Sequence, residues 1–210
     1  MLRLSIFLLA TVPLALSSCV TSAPGLADWD SLTPDGRRDV ALRVLAESAV
    51  TAFTGDRYEV LAPPAAGQTP QRLVGGFVPG RVPGRRSELV IVGGSLDGPE
   101  APVLIEAARQ IALDARSRLR PERTVLLALW RGQRTGTTAL DDLLAVPLWS
   151  AAGRRAVLDA SGAAARTGKT RIAGVPLIPI FDPETQPWQA AVDAVVQAVL
   201  TAAAAPPDTD

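Results

Sequence analysis

Two short runs of consecutive apolar residues most constrain the fold of this chain. The run 88–92 reads Glu-Leu-Val-Ile-Val, and the run 123–130 reads Arg-Thr-Val-Leu-Leu-Ala-Leu-Trp. Short runs that are apolar at almost every position are typical of strands buried on both faces, which occur in parallel sheets covered by helices. A helical pattern over residues 102–118 separates the two runs. The sequence therefore predicts a strand–helix–strand unit of an α/β fold.

The remaining patterns extend this alternation. Further strands are predicted over residues 72–78, 155–159 and 174–181, and further helices over residues 34–53, 138–146 and 186–204. We expect a three-layer α/β domain with a mixed, mostly parallel sheet, helices on both faces, and an antiparallel strand pair near the start formed by 72–78 and 88–92. The functional cleft of such a sheet lies at the carboxyl ends of its strands.

The first nineteen residues have the parts of an export signal. Arg3 supplies a short positive start, and residues 4–16 form an apolar run too short to span a bilayer. The run ends in Leu16-Ser17-Ser18-Cys19, which resembles the bacterial lipobox, where the cysteine becomes the lipidated N-terminus of the mature protein. Cys19 is the single cysteine in the chain. Its lipidation leaves no reactive thiol in an oxidising compartment.

The signal divides the chain into four predicted parts. These are a signal peptide over 1–18, a lipidated tether over 19–33, the α/β domain over 34–205 and a polar tail over 206–210. The protein is then exported and held in the bacterial cell envelope by lipid on Cys19. Val20 follows the cysteine in place of an aspartate that would favour retention at the inner membrane, so the sequence favours the outer membrane.

The composition excludes several functions. The chain has no histidine, so neither a Ser/His/Asp nor a Cys/His catalytic arrangement is possible, and the commonest zinc ligand is missing. Basic and acidic residues balance at 21 each, which indicates no surface for nucleic acid. Residues 163–170 fit a relaxed phosphate-loop pattern, but a strand-type run follows where such a loop requires a helix, so no nucleotide is expected.

Several segments of the chain occur in the same order as the sequence motifs of one known family. They are 73–80 with its Pro-Gly turn, 88–97 ending Gly-Gly-Ser-Leu-Asp, the helix 103–112 with Glu106, the strand and loop 123–136, 157–162 reading Val-Leu-Asp-Ala-Ser-Gly, and 174–176 followed by 181–185. Together they resemble the zinc exopeptidase family of bacterial leucyl aminopeptidases, glutaminyl cyclases and glutamate carboxypeptidases. The resemblance covers about residues 72–200 and implies a zinc aminopeptidase-like fold.

The resemblance also implies where the family's functional residues fall. The first zinc ligand, a histidine, falls on Ser95, and Asp97 matches the residue that orients this ligand. A general base and a metal ligand, both glutamates in the family, fall on Gln133 and Arg134. A later acidic ligand is matched by Asp159, and the final histidine has no counterpart.

These replacements oppose the family's mechanism. A pair of zinc ions needs about four ligands per metal, whereas the shortened segment 98–102 offers only Glu100 for the bridging aspartate. Arg134 brings a permanent positive charge to the place of a dication, and the amide of Gln133 cannot accept a proton from water. We therefore predict no metal and no cofactor, and an ion pair between Arg134 and Asp159.

Three functions remain open. The leading hypothesis is a catalytically inactive, aminopeptidase-like lipoprotein that serves as a binding or scaffold module for an envelope protein or peptide. The second is a working zinc-dependent aminopeptidase or related hydrolase with unusual ligands. The third is a non-metal hydrolase centred on Ser95. Zinc content and labelling by a serine-reactive probe separate the three.

Overall fold

One mixed sheet of seven strands forms the centre of the domain. The computed structural model of the chain describes residues 23–62, 71–113, 120–131, 153–160, 170–172, 174–180 and 186–206. The strands are β1 Glu59–Ala62, β2 Gln71–Val78, β3 Leu89–Ser95, β4 Thr124–Arg131, β5 Arg154–Asp159, β6 Arg171–Ile172 and β7 Val175–Pro179. Across the sheet they lie in the order β1-β2-β4-β3-β5-β7-β6. The central strands β4, β3, β5 and β7 run parallel, which confirms the α/β class with a mixed, mostly parallel sheet.

The antiparallel pairing near the start of the chain differs from the prediction. Strand β2 pairs with β1 and with β4, and β4 separates β2 from β3. The predicted pair of 72–78 with 88–92 is therefore wrong. Tight hairpins have loops of about 2–5 residues, whereas the link from β2 to β3 is longer and contains a 3-10 turn at Pro83–Arg85.

Three described helices pack on one face of the sheet. They are α1 Pro34–Glu47, α2 Glu100–Leu113 and α3 Trp188–Ala204, and their buried residues share one cluster with Val92 of β3 and Leu127 of β4. The hydroxyl of Thr33 caps α1 by accepting the Gly36 N–H at 3.1 Å. The predicted helix reached residue 53. It ends earlier because Thr51 turns to the sheet and exchanges two backbone hydrogen bonds of 2.7 Å with Phe77.

A segment before α1, residues 23–32, is folded against the helix layer. Ala23, Leu26 and Trp29 belong to the main buried cluster, together with residues of α2. In α2 itself, 11 of the 14 residues are buried. The predicted tether over 19–33 is therefore too long, because large apolar side chains gain free energy when they leave water. Residues 19–22 lie outside the described residues.

The second face of the sheet is also buried. Leu73, Ile91, Leu126 and Trp130 form its cluster, and the burial of Trp130 agrees with the core position expected from the apolar run of β4. The predicted helix over 138–146 lies outside the described residues. The expectation of helices on both faces therefore stays a prediction for this second face.

A buried arginine ties the amino-terminal edge of the sheet to α3. The Arg123 guanidinium bonds the Glu88 carboxylate and donates to the Ala203 carbonyl at 2.9 Å. Arg155 donates to the other Glu88 oxygen at 2.9 Å. Burial acts to raise the pKa of Glu88, but hydrogen bonds from the two arginines outweigh it and hold this pKa below its ordinary value. This edge lies opposite the expected cleft.

Candidate functional site

The loop from β3 to α2 is closed by a carboxylate. Ser95 is the last residue of β3, and its backbone N–H donates to Glu100 Oε1 at 2.8 Å. Glu100 is the first residue of α2 and is buried. Gly98 makes room for this contact, since a Cβ on Gly98 would collide with the Glu100 carboxyl group. The carboxylate is thus used to hold the loop against the strand end.

The two other polar residues of this loop, Ser95 and Asp97, are half-buried. The Asp97 N–H donates to Ser95 Oγ at 3.3 Å, so the hydroxyl proposed as a nucleophile in the third hypothesis takes part in a local turn. Asp97 Oδ1 is buried and finds no hydrogen-bond donor among the described residues. In the family the matching residue orients a metal-binding histidine, and no such group stands beside Asp97 in the described part of the chain.

Arg37 of α1 fixes the loop from outside. Its Nη1 donates to the Asp97 carbonyl at 2.6 Å and its Nε donates to the Trp29 carbonyl at 3.1 Å. The guanidinium therefore joins α1, the folded segment 23–32 and the β3–α2 loop. Sequence patterns did not indicate this role, because Arg37 lies among several arginines on an amphipathic helix.

Asp159 lies at the same edge of the sheet, one strand away from Ser95. It is the last residue of β5, is fully buried, and stands in register with Gly93 of β3. Alternation along β3 and β5 places Ser95 and Asp159 on the face opposite the helices, because Gly94 faces Glu100 and Leu158 belongs to the helix-side cluster. The structure thus places these two predicted residues on the same face, at the same edge of the sheet.

Several predicted site residues lie outside the described residues. They are Cys19, Gln133 and Arg134. The ion pair expected between Arg134 and Asp159 therefore stays a prediction. Glu106, which matches a family glutamate on the helix, is described and lies on α2, where it bonds Arg109.

The described residues do not fit a pair of zinc ions. Among them, no three side chains of histidine, cysteine, aspartate or glutamate converge on a point where a metal could bind. The carboxylate of Glu100, the candidate for the bridging ligand, is already bonded to the Ser95 backbone amide. A zinc site with carboxylates as its main ligands would be weak and poorly selective.

A pocket of about 420 Å³ opens beside this loop on the helix side. Three elements line it: the segment 23–32, the first turn of α2 and the first turns of α3, which follow the carboxyl ends of β3 and β7. Its lining residues are Leu26, Ala27, Trp29, Asp30, Pro99, Pro102, Val103, Gln186, Trp188 and Ala191. The lining is apolar and aromatic with one carboxylate and one amide, the usual composition of a ligand site.

The pocket was not predicted from the sequence. Leu26 and Trp29, three residues apart in the supposed tether, were the signal that could have revealed one of its walls. Two buried apolar residues at helical spacing are unusual for a solvated linker.

Comparison with known proteins does not assign the chain to a family. A scan of protein-family models gives no match to the chain, and a search of curated proteins gives no match either. Within the described ranges, no helix is both long enough and apolar enough to cross a membrane.

Proposed function

We propose that this chain is an exported lipoprotein of the bacterial cell envelope whose α/β domain is a non-catalytic relative of the zinc exopeptidases and acts as a binding module. The observation that carries the proposal is the hydrogen bond from the Ser95 N–H to Glu100. Glu100 is the candidate for the bridging metal ligand. Here its carboxylate accepts this hydrogen bond and so holds the β3–α2 loop against the end of β3.

The physical cost of restoring a metal site supports an inactive domain. Glu100 would have to leave a charge-assisted hydrogen bond, which is about twice as strong as a neutral one. The part-buried Ser95 amide would then lose its acceptor, at a cost of up to about 1–3 kcal/mol. The resemblance adds Arg134, whose charge repels a dication, and Gln133, which cannot act as a general base.

The pocket supports a binding role. The half-buried Trp188 offers aromatic surface, and Pro99 and Pro102 give a rigid wall, while Trp29 lies in the core behind the lining. Asp30 supplies a negative charge suited to an ammonium or other N–H donor. We infer that the ligand is a peptide that presents an apolar or aromatic side chain next to a free amino group.

A titration with short peptides tests this role. The probes are peptides with a free amino terminus that begin with phenylalanine or leucine, and the readout is tryptophan fluorescence. Ala27→Phe fills the pocket because Ala27 is an exposed lining residue, so affinity should weaken at least about tenfold, or 1.4 kcal/mol. Ala190→Phe is the matched control, since Ala190 is exposed as well but is not among the lining residues.

Two outcomes would refute the pocket as the binding site. One is an Ala27→Phe variant that binds the peptides like the wild type while urea unfolding shows that it is folded. The other is a wild-type protein that binds none of the peptides.

A further inference from the structure

The described part of the domain begins at Ala23. Ala23 is buried, and its N–H points at Glu106 Oε2 on α2 at 3.5 Å. Arg43 of α1 donates to the Pro24 carbonyl at 3.2 Å. Leu26, three residues later, is buried in the main cluster. Two hydrogen bonds with two helices, together with the burial of Ala23 and Leu26, thus fix the position of this described start.

The connection from Cys19 to this point is short. Only Val20, Thr21 and Ser22 lie between Cys19 and Ala23, so four Cα steps span at most about 14 Å. A domain of this size has a radius of gyration of roughly 16 Å and hence a diameter of roughly 40 Å. A lipid on Cys19 therefore cannot let the domain stand away from the bilayer or turn its Ala23 side outward.

The surface around Ala23 is the outer side of the helix layer. Arg43 is exposed on α1. On α2 the buried charge of Glu106 is compensated by Arg109 at 2.7 Å. Leu113, on the same side of α2 as Glu106 and Arg109, is 51% exposed. An exposed guanidinium and an exposed leucine beside a neutralised acid suit contact with phospholipid headgroups.

We propose that the mature protein lies with this helix-layer surface, defined by Ala23, Arg43 and Leu113, against the phospholipid bilayer. The proposal rests on the proposed lipidation of Cys19. The segment 23–32 also forms one wall of the pocket, so the pocket lies close to the membrane plane and meets ligands at the bilayer surface.

Fluorescence quenching in vesicles tests the orientation. The acylated full-length mature protein is reconstituted in vesicles of phosphatidylethanolamine and phosphatidylglycerol that contain a lipid with a nitroxide on its headgroup. Because acylation consumes Cys19, Leu113→Cys and Thr170→Cys each carry one free thiol for a fluorophore. Thr170 is exposed next to β6 at the far edge of the sheet. The Leu113→Cys label should be quenched at least about twofold more than the Thr170→Cys label.

A lengthened tether provides the second arm. Inserting about 20 Gly/Ser residues between Ser22 and Ala23 gives a connection of roughly 27 Å, and quenching of the Leu113→Cys label should fall towards that of the Thr170→Cys label. Equal quenching of the two labels in acylated protein with the natural tether would overturn the orientation alone. A mature mass without acyl groups would overturn the lipid anchor and the orientation with it.

Discussion

Glu106 is a glutamate in the helix layer that is 1% exposed. Both of its carboxylate oxygens accept hydrogen bonds from neighbouring side chains. It accepts from Arg109 Nε at 2.9 Å, Arg109 Nη2 at 2.7 Å and Gln110 Nε2 at 3.0 Å. The hydrogen bonds to Glu106 raise the pKa of Arg109 above its ordinary value. A buried ion pair of this kind contributes mainly through the cost of breaking it.

Removing Glu106 should therefore be strongly destabilising. We predict that Glu106→Ala lowers the free energy of unfolding by about 3–5 kcal/mol, because the mostly buried Arg109 loses its partner. Glu106→Gln keeps the size and one acceptor and should cost less, about 1–3 kcal/mol. Urea unfolding followed by circular dichroism measures both variants. A loss below about 1 kcal/mol for Glu106→Ala would contradict the structural role of this pair.

Glu59 on β1 gives a prediction about pH. Its carboxylate accepts from Arg38 Nε at 3.0 Å, and the hydrogen bonds from Arg38 lower the pKa of Glu59 below 4.5 despite partial burial. A carboxylate with a lowered pKa in the folded state stabilises the protein above its unfolded-state pKa. This contribution disappears as the pH falls through the folded-state pKa.

The variant Glu59→Gln should accordingly be less stable than the wild type at neutral pH, and the difference should shrink as the pH drops below about 4.5. Urea unfolding at several pH values between neutral and acidic checks this trend. Glu47→Gln, an exposed position at the end of α1, is the control and should show almost no difference at any pH. If the difference in the free energy of unfolding between Glu59→Gln and the wild type stays constant or widens in acid, the predicted role of Glu59 is contradicted.

At the residue scale, the sequence could place candidate residues but not their bonds. The ends of apolar runs put Ser95 and Asp159 at the carboxyl edge of the sheet, as the structure has them. The bond from Ser95 to Glu100 could not be predicted, because it depends on the closure of a short loop and on the missing side chain of Gly98. Arg37 was missed for a related reason: its acceptors are backbone carbonyls, which leave no trace in the sequence.

At the element scale, long periodic patterns were predicted well and short elements were not. The main strands and α1, α2 and α3 agree with the pattern except at their ends. Strands β1 and β6 have four and two residues, too few to show alternation. The sequence predicts a tether for the folded segment 23–32 because Pro24 and Gly25 are typical of linkers, whereas Trp29 is buried in the core.

Strand β2 carries a glycine that its packing requires. A Cβ on Gly75 would collide with the backbone carbonyl of Leu127 on β4, so a side chain there must push the two strands apart. We predict that Gly75→Ala destabilises the domain by about 1–3 kcal/mol or more. Gly84→Ala is the matched control, because a Cβ at Gly84 meets no atom within 4 Å. Equal unfolding midpoints for the two variants in urea would show that the approach of β2 to β4 is not tight.

At the scale of the whole molecule, the fold class follows from the sequence and the strand order does not. Buried runs separated by helical patterns indicate a parallel sheet. Insertion of β4 between β2 and β3 depends on contacts between segments far apart in the chain, and local patterns do not encode them. The pocket could not be predicted for the same reason, because its lining residues come from three segments far apart in the chain, 23–32, 99–103 and 186–191.

The metal content of the mature protein, purified with added zinc and assayed on aminoacyl substrates with and without a chelator, tests the inactive-domain proposal most directly. The chain has no histidine, and its candidate ligand Glu100 is bonded to Ser95. We predict no stoichiometric zinc and no chelator-sensitive turnover. Gln133→Glu should recover neither, because loss of metal and loss of a general base act on the same step. Stoichiometric zinc with turnover abolished by the chelator would contradict the proposal.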